Sequence, residues 1–266
     1  MTGYKKRTVI LVISLIALLG LAGCGQSGGG NGSGENLTKE QKIDKGLDAF
    51  YNLDDGKVQI EVKTDYVRHQ PSEGQKAEGF NKYSYKGTFE MGPVRARGKL
   101  NYANDSKKGS REIYGTDGAE FKKEKGDKTW KQDIYTSKWR NQPTGFNRDF
   151  IAFLQTKKKD ITVKEDKKTY TLRFESTDIK LQDENVDLFF GAMFRPIIVS
   201  SSTDTGKMVA ELTVSKEDNK PLSFKYTCNY DSSSVSGKFK GVAKYSDQNT
   251  GVRVEEPKGI DKAKGY

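Results

Sequence analysis

The 266-residue sequence contains one histidine, His69, and two cysteines, Cys24 and Cys228. A zinc site made of histidines is therefore excluded, and a Ser-His-Asp triad would have to use His69 as its base. Two cysteines form one disulfide at most, which excludes a disulfide-rich scaffold. Phosphate-binding loops, a dinucleotide-binding Gly-x-Gly-x-x-Gly after a strand and the Gly-x-Ser-x-Gly elbow are also missing. We therefore expect a non-catalytic protein with no metal and no cofactor.

Hydrophobic residues, with alanine and cysteine included, are sparse, at 33% of the chain. The 28 glycines among 266 residues add about 11%, and the total of about 44% is near the globular norm of about 45–50%. Disorder throughout is therefore excluded. Lysine and arginine outnumber aspartate and glutamate by 46 to 36, which leaves a formal net charge of +10. Such an excess favours anionic partners at a surface.

The N-terminal residues have the three parts of an export signal. Residues 5–7 are basic, and the apolar run of residues 8–20 is shorter than the roughly 20 residues that span a bilayer as a helix. The run ends in Leu21-Ala22-Gly23-Cys24, which resembles the bacterial lipobox. The resemblance implies that the signal peptide comprises residues 1–23. It also implies that Cys24 carries lipid, as a diacylglyceryl group and palmitate-type acyl chains. An ordinary signal peptide or an uncleaved anchor, either of them with a chance cysteine, is the alternative.

Residues 24–36 comprise this cysteine and a Gly/Ser/Asn-rich run without large apolar side chains. A flexible tether of about 12 residues spans about 20 Å. We therefore expect a protein anchored to the extracytoplasmic face of the cell membrane in a single-membrane, Gram-positive envelope. Export also argues against a nucleic-acid partner.

Residues 37–258 are expected to form one domain, followed by a tail at residues 259–266. Residues 37–52 predict an amphipathic helix with Thr38 as N-cap, because Ile43, Leu47 and Phe50 recur at helical spacing. Alternation of apolar and polar residues then predicts antiparallel strands. The predicted strands are 58–66, 83–91, 94–102, 112–116, 119–123, 161–163, 170–174, 208–214, 222–230 and 235–245.

Two further helical stretches are predicted in the middle of the chain, at residues 145–155 and around residues 186–199. The second is the most apolar part after the signal segment. We expect it to cover an apolar ligand cavity beneath a curved sheet, and a fully packed core is the alternative. The candidate cover residues are Val186, Phe189, Phe190, Met193, Phe194 and Ile197. Gly191, within this stretch, is either a pivot or a close-packing point.

Three stretches resemble the LolA-like fold, which is found in periplasmic lipoprotein carriers and in mycobacterial lipid-binding lipoproteins. The pattern is most similar to that of Gram-positive lipoproteins with this fold. They are residues 113–131, with Trp130 after a predicted hairpin, residues 212–222, and the ending at residues 245–257. The resemblance implies an α+β domain whose antiparallel curved sheet, a half-barrel, is covered by a few helices. It also implies binding or carrying of a lipid, a lipidated ligand or another apolar ligand.

The remaining polar residues leave alternatives open. Asp54-Asp55 and Asp183-Glu184 are paired carboxylates that either stabilise helix starts or face solvent. Cys228 lies in an alternating strand, where a buried thiol is expected rather than a catalytic one. The lysine-rich stretches at residues 157–159 and 164–168 are solvated turns or contacts to anionic headgroups or wall polymers. The alternative function is accordingly an envelope interaction or structural module, with a solid core, that binds a protein partner or an anionic wall polymer.

Overall fold

The computed structural model of the chain describes residues 37–116, 118–133, 144–146, 148–180, 205–231 and 233–265. Residues 36–266 form one compact unit. Its described part is an α+β domain in which one large, open sheet carries the helices on one face. This agrees with the expected curved antiparallel sheet covered by helices. No helix in the described ranges is long and apolar enough to cross a membrane.

The sheet is built from two meanders that meet at its centre. Its strand order is β12-β6-β5-β4-β3-β2-β1-β11-β10-β9-β8-β7, and β1 joins the first meander to the second by pairing with β11. Every pairing is antiparallel except that of β12 with β6. The strands are β1 Asp55–Arg68, β2 Glu78–Met91, β3 Val94–Asn104, β4 Lys108–Thr116, β5 Glu120–Glu124, β6 Lys131–Asp133, β7 Thr162–Glu165, β8 Thr169–Lys180, β9 Thr205–Ser215, β10 Pro221–Asp231, β11 Val235–Ser246 and β12 Lys264–Gly265.

Side chains alternate between two faces of the sheet, as the period of two in the sequence predicts. In β1, Val58, Ile60 and Val62 are buried, while Gln59 and Glu61 between them are exposed. We call the buried side the inner face and the opposite side the outer face. The inner face and the helices form one large hydrophobic cluster, which is the core of the domain.

Helix α1, Lys39–Tyr51, confirms the first predicted helix. Its N-terminus has a capping box, in which Thr38 Oγ1 accepts from the Gln41 N–H at 3.2 Å and Gln41 Oε1 accepts from the Thr38 N–H at 2.8 Å. Its buried residues Ile43, Leu47 and Phe50 lie on one side.

Helix α2, Arg148–Thr156, is shorter than the predicted stretch. It buries Phe150, Ile151 and Leu154. Gly145, three residues before the start of the helix at Arg148, has a φ of +81°, a left-handed conformation that no helical residue adopts. Phe146 therefore lies before the helix, where its ring packs edge-on against the rings of Phe50 and Phe224 at 5.6 and 5.7 Å.

The predicted strands are present, most of them longer than expected. Strand β2 begins at Glu78 and β4 at Lys108, because extended pairing continues through polar residues that the alternation did not mark. Two strands, β6 and β12, were not predicted, since three and two residues are too few to show a pattern. The predicted stretch around residues 186–199 lies outside the described residues.

The C-terminal residues lie across part of the outer face. Val254 packs with Tyr114 and Trp130 in a second, small hydrophobic cluster, to which Ile260 also contributes. The predicted tail contains a 3-10 helix, Ile260–Lys262, and strand β12, which pairs with β6. Trp130, which the sequence places after a hairpin, thus holds this ending against the sheet.

Candidate functional site

Strand register gathers aromatic and small polar side chains at one end of the inner face. Thr64 on β1 lies opposite Asn81 on β2 and Phe239 on β11, and Phe239 lies opposite Cys228 on β10. The neighbouring rows add tyrosines. We call this region the aromatic end. It consists of Val62, Thr64, Tyr66, Asn81, Tyr83, Tyr226, Cys228, Tyr230 and Phe239.

Three tyrosines of the aromatic end each lie across a glycine on the adjacent strand. The pairs are Tyr66–Gly79, Tyr226–Gly241 and Tyr230–Gly237, and each pair is directly opposite in the register. A Cβ on these glycines would lie 2.5, 2.2 and 2.6 Å from the nearest atom of its tyrosine. The rings therefore extend over the neighbouring strand, where only a glycine leaves room for them.

The hydroxyls of these tyrosines differ in their partners. Tyr66 donates to Asp105 at 2.8 Å and accepts from Arg68 at 2.9 Å. Tyr230, by contrast, has a buried hydroxyl without a hydrogen-bond partner among the described residues, and so does Tyr85 of β2. A buried polar group without a partner costs about 1–3 kcal/mol, and such groups are rare in native proteins.

Burial keeps these phenols neutral. It raises the pKa of Tyr230 to about 12, with smaller contributions from Cys228 and Tyr66. The pKa of Tyr85 is raised by burial and, to a smaller extent, by the nearby charge of Glu120. At neutral pH each hydroxyl is therefore an uncharged donor with nothing to donate to in the described part of the chain.

Each of the two helices makes a ring contact toward the other end of the inner face. Phe50 of α1 contacts Tyr245, and Phe150 of α2 contacts Phe224 on β10. In the register, Tyr245 and Phe224 lie toward the end of β11 and the start of β10, whereas Tyr230 lies near the end of β10. Strand β8 ends at Lys180, opposite Thr205 of β9, and the following residue Gly206 lies opposite Tyr230.

Several residues proposed from the sequence lie outside the described residues. The candidate cover residues Val186, Phe189, Phe190, Met193, Phe194 and Ile197 belong to this group. So do the lipid-attachment residue Cys24 and the lipobox residues Leu21, Ala22 and Gly23.

Cys228 is a buried thiol within the aromatic end. Its side chain is 1% exposed, and Sγ donates to the Asn229 carbonyl at 3.6 Å. Burial raises the pKa of this thiol to about 12, so it is protonated at neutral pH. Since the thiolate is the nucleophilic form, this environment does not activate Cys228.

The other polar candidates stabilise loops. His69 is exposed, with Nδ1 3.3 Å from the Ser233 carbonyl and Nε2 3.2 Å from Ser236 Oγ. Asp54 pairs with Arg148 at 2.6 Å, and Asp55 accepts backbone N–H groups from residues 250–252. Asp183 and Glu184 lie outside the described residues. In the part of the chain that the structure describes, no group of three His, Cys, Asp or Glu side chains is placed to hold a metal ion.

In the two lysine-rich stretches that the sequence singles out, Lys158 forms an ion pair, whereas Glu165 pairs with lysines from outside its own stretch. Lys158 pairs with Asp44 at 2.6 Å, and Glu165 pairs with Lys42 at 2.6 Å and with Lys216 at 2.8 Å.

Sequence reasoning missed the unpartnered hydroxyls of Tyr85 and Tyr230. The available signal was an aromatic residue near a glycine on the next predicted strand. Recognising such a pair requires the pairing register of the two strands, which the sequence does not provide.

No protein-family model matches the chain, and no curated protein sequence matches it significantly. The geometry of the inner face and the residues of the N-terminus are therefore the features that bear on function.

Proposed function

We propose that this chain is a membrane-anchored cell-envelope lipoprotein that binds or carries a lipid or another apolar ligand with a polar group, without catalysis. The ligand would lie at the aromatic end of the inner face. The observation that supports this most strongly is the buried Tyr230 hydroxyl, which has no hydrogen-bond partner among the described residues. A ligand oxygen that accepts from it would remove the cost of leaving this donor unpaired.

The chemistry around Tyr230 fits an amphipathic ligand. Val62, Tyr226 and Phe239 offer apolar and aromatic surface, and each is buried. Thr64 and Asn81 add two buried polar side chains on the adjacent row. Binding sites for small apolar molecules have this composition, in which a few polar groups orient a ligand held by apolar walls.

The LolA-like fold belongs to the same proposal. The resemblance implies an antiparallel curved sheet covered by a few helices, and the open sheet with helices on one face supports this coarser part of it. The resemblance also implies that a lipid or another apolar ligand is bound at the side of the sheet that the helices cover. In this chain the corresponding side is the inner face, where the aromatic end lies.

The membrane anchor is supported by the sequence of the N-terminus. Basic residues, an apolar run and Leu21-Ala22-Gly23-Cys24 stand in the order that lipoprotein processing requires. An anchor with two acyl chains at Cys24 is sufficient for stable membrane attachment. We predict that Cys24→Ala abolishes acylation and blocks normal processing of the precursor. Incorporation of labelled fatty acid into this variant would show that the anchor is assigned wrongly.

The ligand proposal is tested first by native mass spectrometry of residues 36–266 purified from a bacterial host, with solvent extraction of bound lipid. Close to one lipid per chain is the expected result. A clean mass of the free protein, unchanged after incubation with phospholipids, would overturn the proposal. It would favour the alternative of a solid-core module that binds a protein partner or an anionic wall polymer.

Tyr230→Phe then tests the role of the hydroxyl. In protein freed of lipid this variant should be more stable by about 1 kcal/mol, because it removes an unpaired buried donor. In the presence of lipid it should retain less lipid than the wild type. Tyr245→Phe is the matched control, since the Tyr245 hydroxyl donates to the Thr144 carbonyl at 2.8 Å. The control should lose stability by about 1 kcal/mol and retain lipid normally.

A further inference from the structure

The outer face carries a group of lysines on three adjacent strands at the centre of the sheet. One row across the strands is Lys82 on β2, Lys63 on β1 and Lys240 on β11. The second row has Lys86 and Lys244 on either side of Gln59. We call Lys63, Lys82, Lys86, Lys240 and Lys244 the lysine patch. All five are exposed.

The register of the patch places like charges opposite each other. Lys63 is the direct cross-strand neighbour of both Lys82 and Lys240. Directly opposed like charges destabilise a sheet, whereas opposite charges stabilise it. Elsewhere in the same sheet, opposite charges lie across from each other on neighbouring strands. Arg173 pairs with its cross-strand neighbour Glu211 at 3.1 Å, and Arg111 pairs with Glu124 at 3.3 Å.

The charge of the patch is only weakly compensated. Lys63 pairs with Asp65 at 2.9 Å, and the one carboxylate between the rows, Glu61, accepts from the Gln59 amide at 3.2 Å. Within the described ranges, the other four lysines of the patch form no ion pair. The flank of the sheet is different, because Arg173, Lys207, Glu175 and Glu211 neutralise one another.

We propose that the lysine patch binds a linear, soluble polymer of phosphate groups. The backbones of neighbouring strands are about 4.8 Å apart, and the two rows of lysines are about 13 Å apart along the strands. Adjacent strands are rotated by about 20–25°, so the patch is a twisted surface. A flexible chain of phosphates follows such a surface and meets both rows, whereas a flat membrane contacts only part of it. This inference does not depend on a ligand at the inner face.

The test measures the binding of residues 36–266 to long-chain sodium polyphosphate, with pyrophosphate as the short comparison. The variant Lys82→Gln/Lys86→Gln/Lys240→Gln/Lys244→Gln removes four charges from the patch. Each exposed ion contact changes affinity by a factor of about 2 to 3, so the loss should be on the order of 30-fold. Binding of the wild type should also weaken steeply with added salt, because bound counterions are released.

The matched control removes the same number of charges elsewhere. Lys159, Lys164, Lys167 and Lys168 are exposed and form no ion pair with a described residue. They lie in and beside β7, which is four strands, or about 19 Å, from β11. Their replacement by Gln should change affinity less than threefold. Circular dichroism of both variants checks that the fold is unchanged, and the double variant Lys82→Gln/Lys240→Gln should give an intermediate loss.

Three results would overturn the inference. Absence of binding to polyphosphate is one, and an equal loss in both quadruple variants is another, because it would show attraction by net charge alone. The third is binding to phosphatidylglycerol vesicles that depends on the patch while polyphosphate does not bind. That outcome would assign the patch to a membrane surface.

Discussion

The glycines opposite the tyrosines of the inner face make a sharp prediction for Gly241→Ala. A Cβ at this position would lie 2.2 Å from Tyr226 Cζ and 2.3 Å from Tyr226 Oη. The ring has little room to move, because it packs against Phe224 at 5.6 Å and Phe239 at 6.1 Å. The tyrosine or the strand must therefore shift.

The magnitude follows from two opposing effects. Overpacking a well-packed core costs about 1–3 kcal/mol. Alanine gains about 0.5–1 kcal/mol over glycine inside a strand, because it loses less conformational freedom on folding. We therefore expect Gly241→Ala to lower the free energy of unfolding by about 1–2 kcal/mol. Equilibrium unfolding in urea, followed by circular dichroism, measures it on residues 36–266.

A double-mutant cycle with Tyr226→Ala tests the cause. Once the ring is removed, Gly241→Ala should be neutral or stabilising. Gly118→Ala is the control without crowding, since no atom lies within 4 Å of its added Cβ. A neutral Gly241→Ala, or the same cost with and without the Tyr226 ring, would refute the reasoning.

Two further predictions concern pH and the C-terminal ending. Burial raises the pKa of Cys228, Tyr170 and Tyr230 to about 12, so the folded state holds protons that the unfolded state has released. Stability should therefore be constant below pH about 8 and fall as the pH rises toward 12, by up to about 1.4 kcal/mol per pH unit and group, first through Cys228 and above pH about 10 also through the two tyrosines. Urea midpoints at about pH 7, 9 and 10.5 measure this fall, and a flat profile would contradict it. Asp55→Ala should destabilise the protein by about 1–3 kcal/mol, because Asp55 accepts the N–H groups of Thr250, Gly251 and Val252 at 3.0–3.2 Å. Asp54→Ala, which breaks an exposed ion pair with Arg148, should cost less than about 1 kcal/mol, and equal losses would argue against the structural role of Asp55.

The local elements were largely predictable from the sequence. Thr38 and Gln41 specify the start of α1, and the alternation around Val58 specifies β1, because capping and face periodicity act over a few residues. The pairing of β1 with β11 was not predictable in the same way. It joins residues far apart in the chain, and alternation assigns residues to a face without naming the neighbouring strand.

The same limit separates the parts of the candidate site. Aromatic residues on single faces of the strands were visible in the sequence, and Tyr226, Tyr230 and Phe239 are indeed together on the inner face. That the Tyr230 hydroxyl lacks a partner was not visible, because hydrogen bonding depends on three-dimensional contacts. Likewise, the sequence directed attention to consecutive lysines, whereas the register assembles the lysine patch from residues scattered over three strands.

The junction of β1 with β11 has a consequence for how the chain folds. Val58 lies opposite Tyr245, and the two are 245 − 58 = 187 residues apart. Until β11 has been made, the first meander ends in the unpaired, 14-residue edge of β1. Contacts this distant slow folding, and an open edge of that length invites pairing with other chains. Synthesis of this protein must therefore be nearly complete before its sheet closes at the centre, and chains cut short before β11 are the ones most exposed to aggregation and proteolysis.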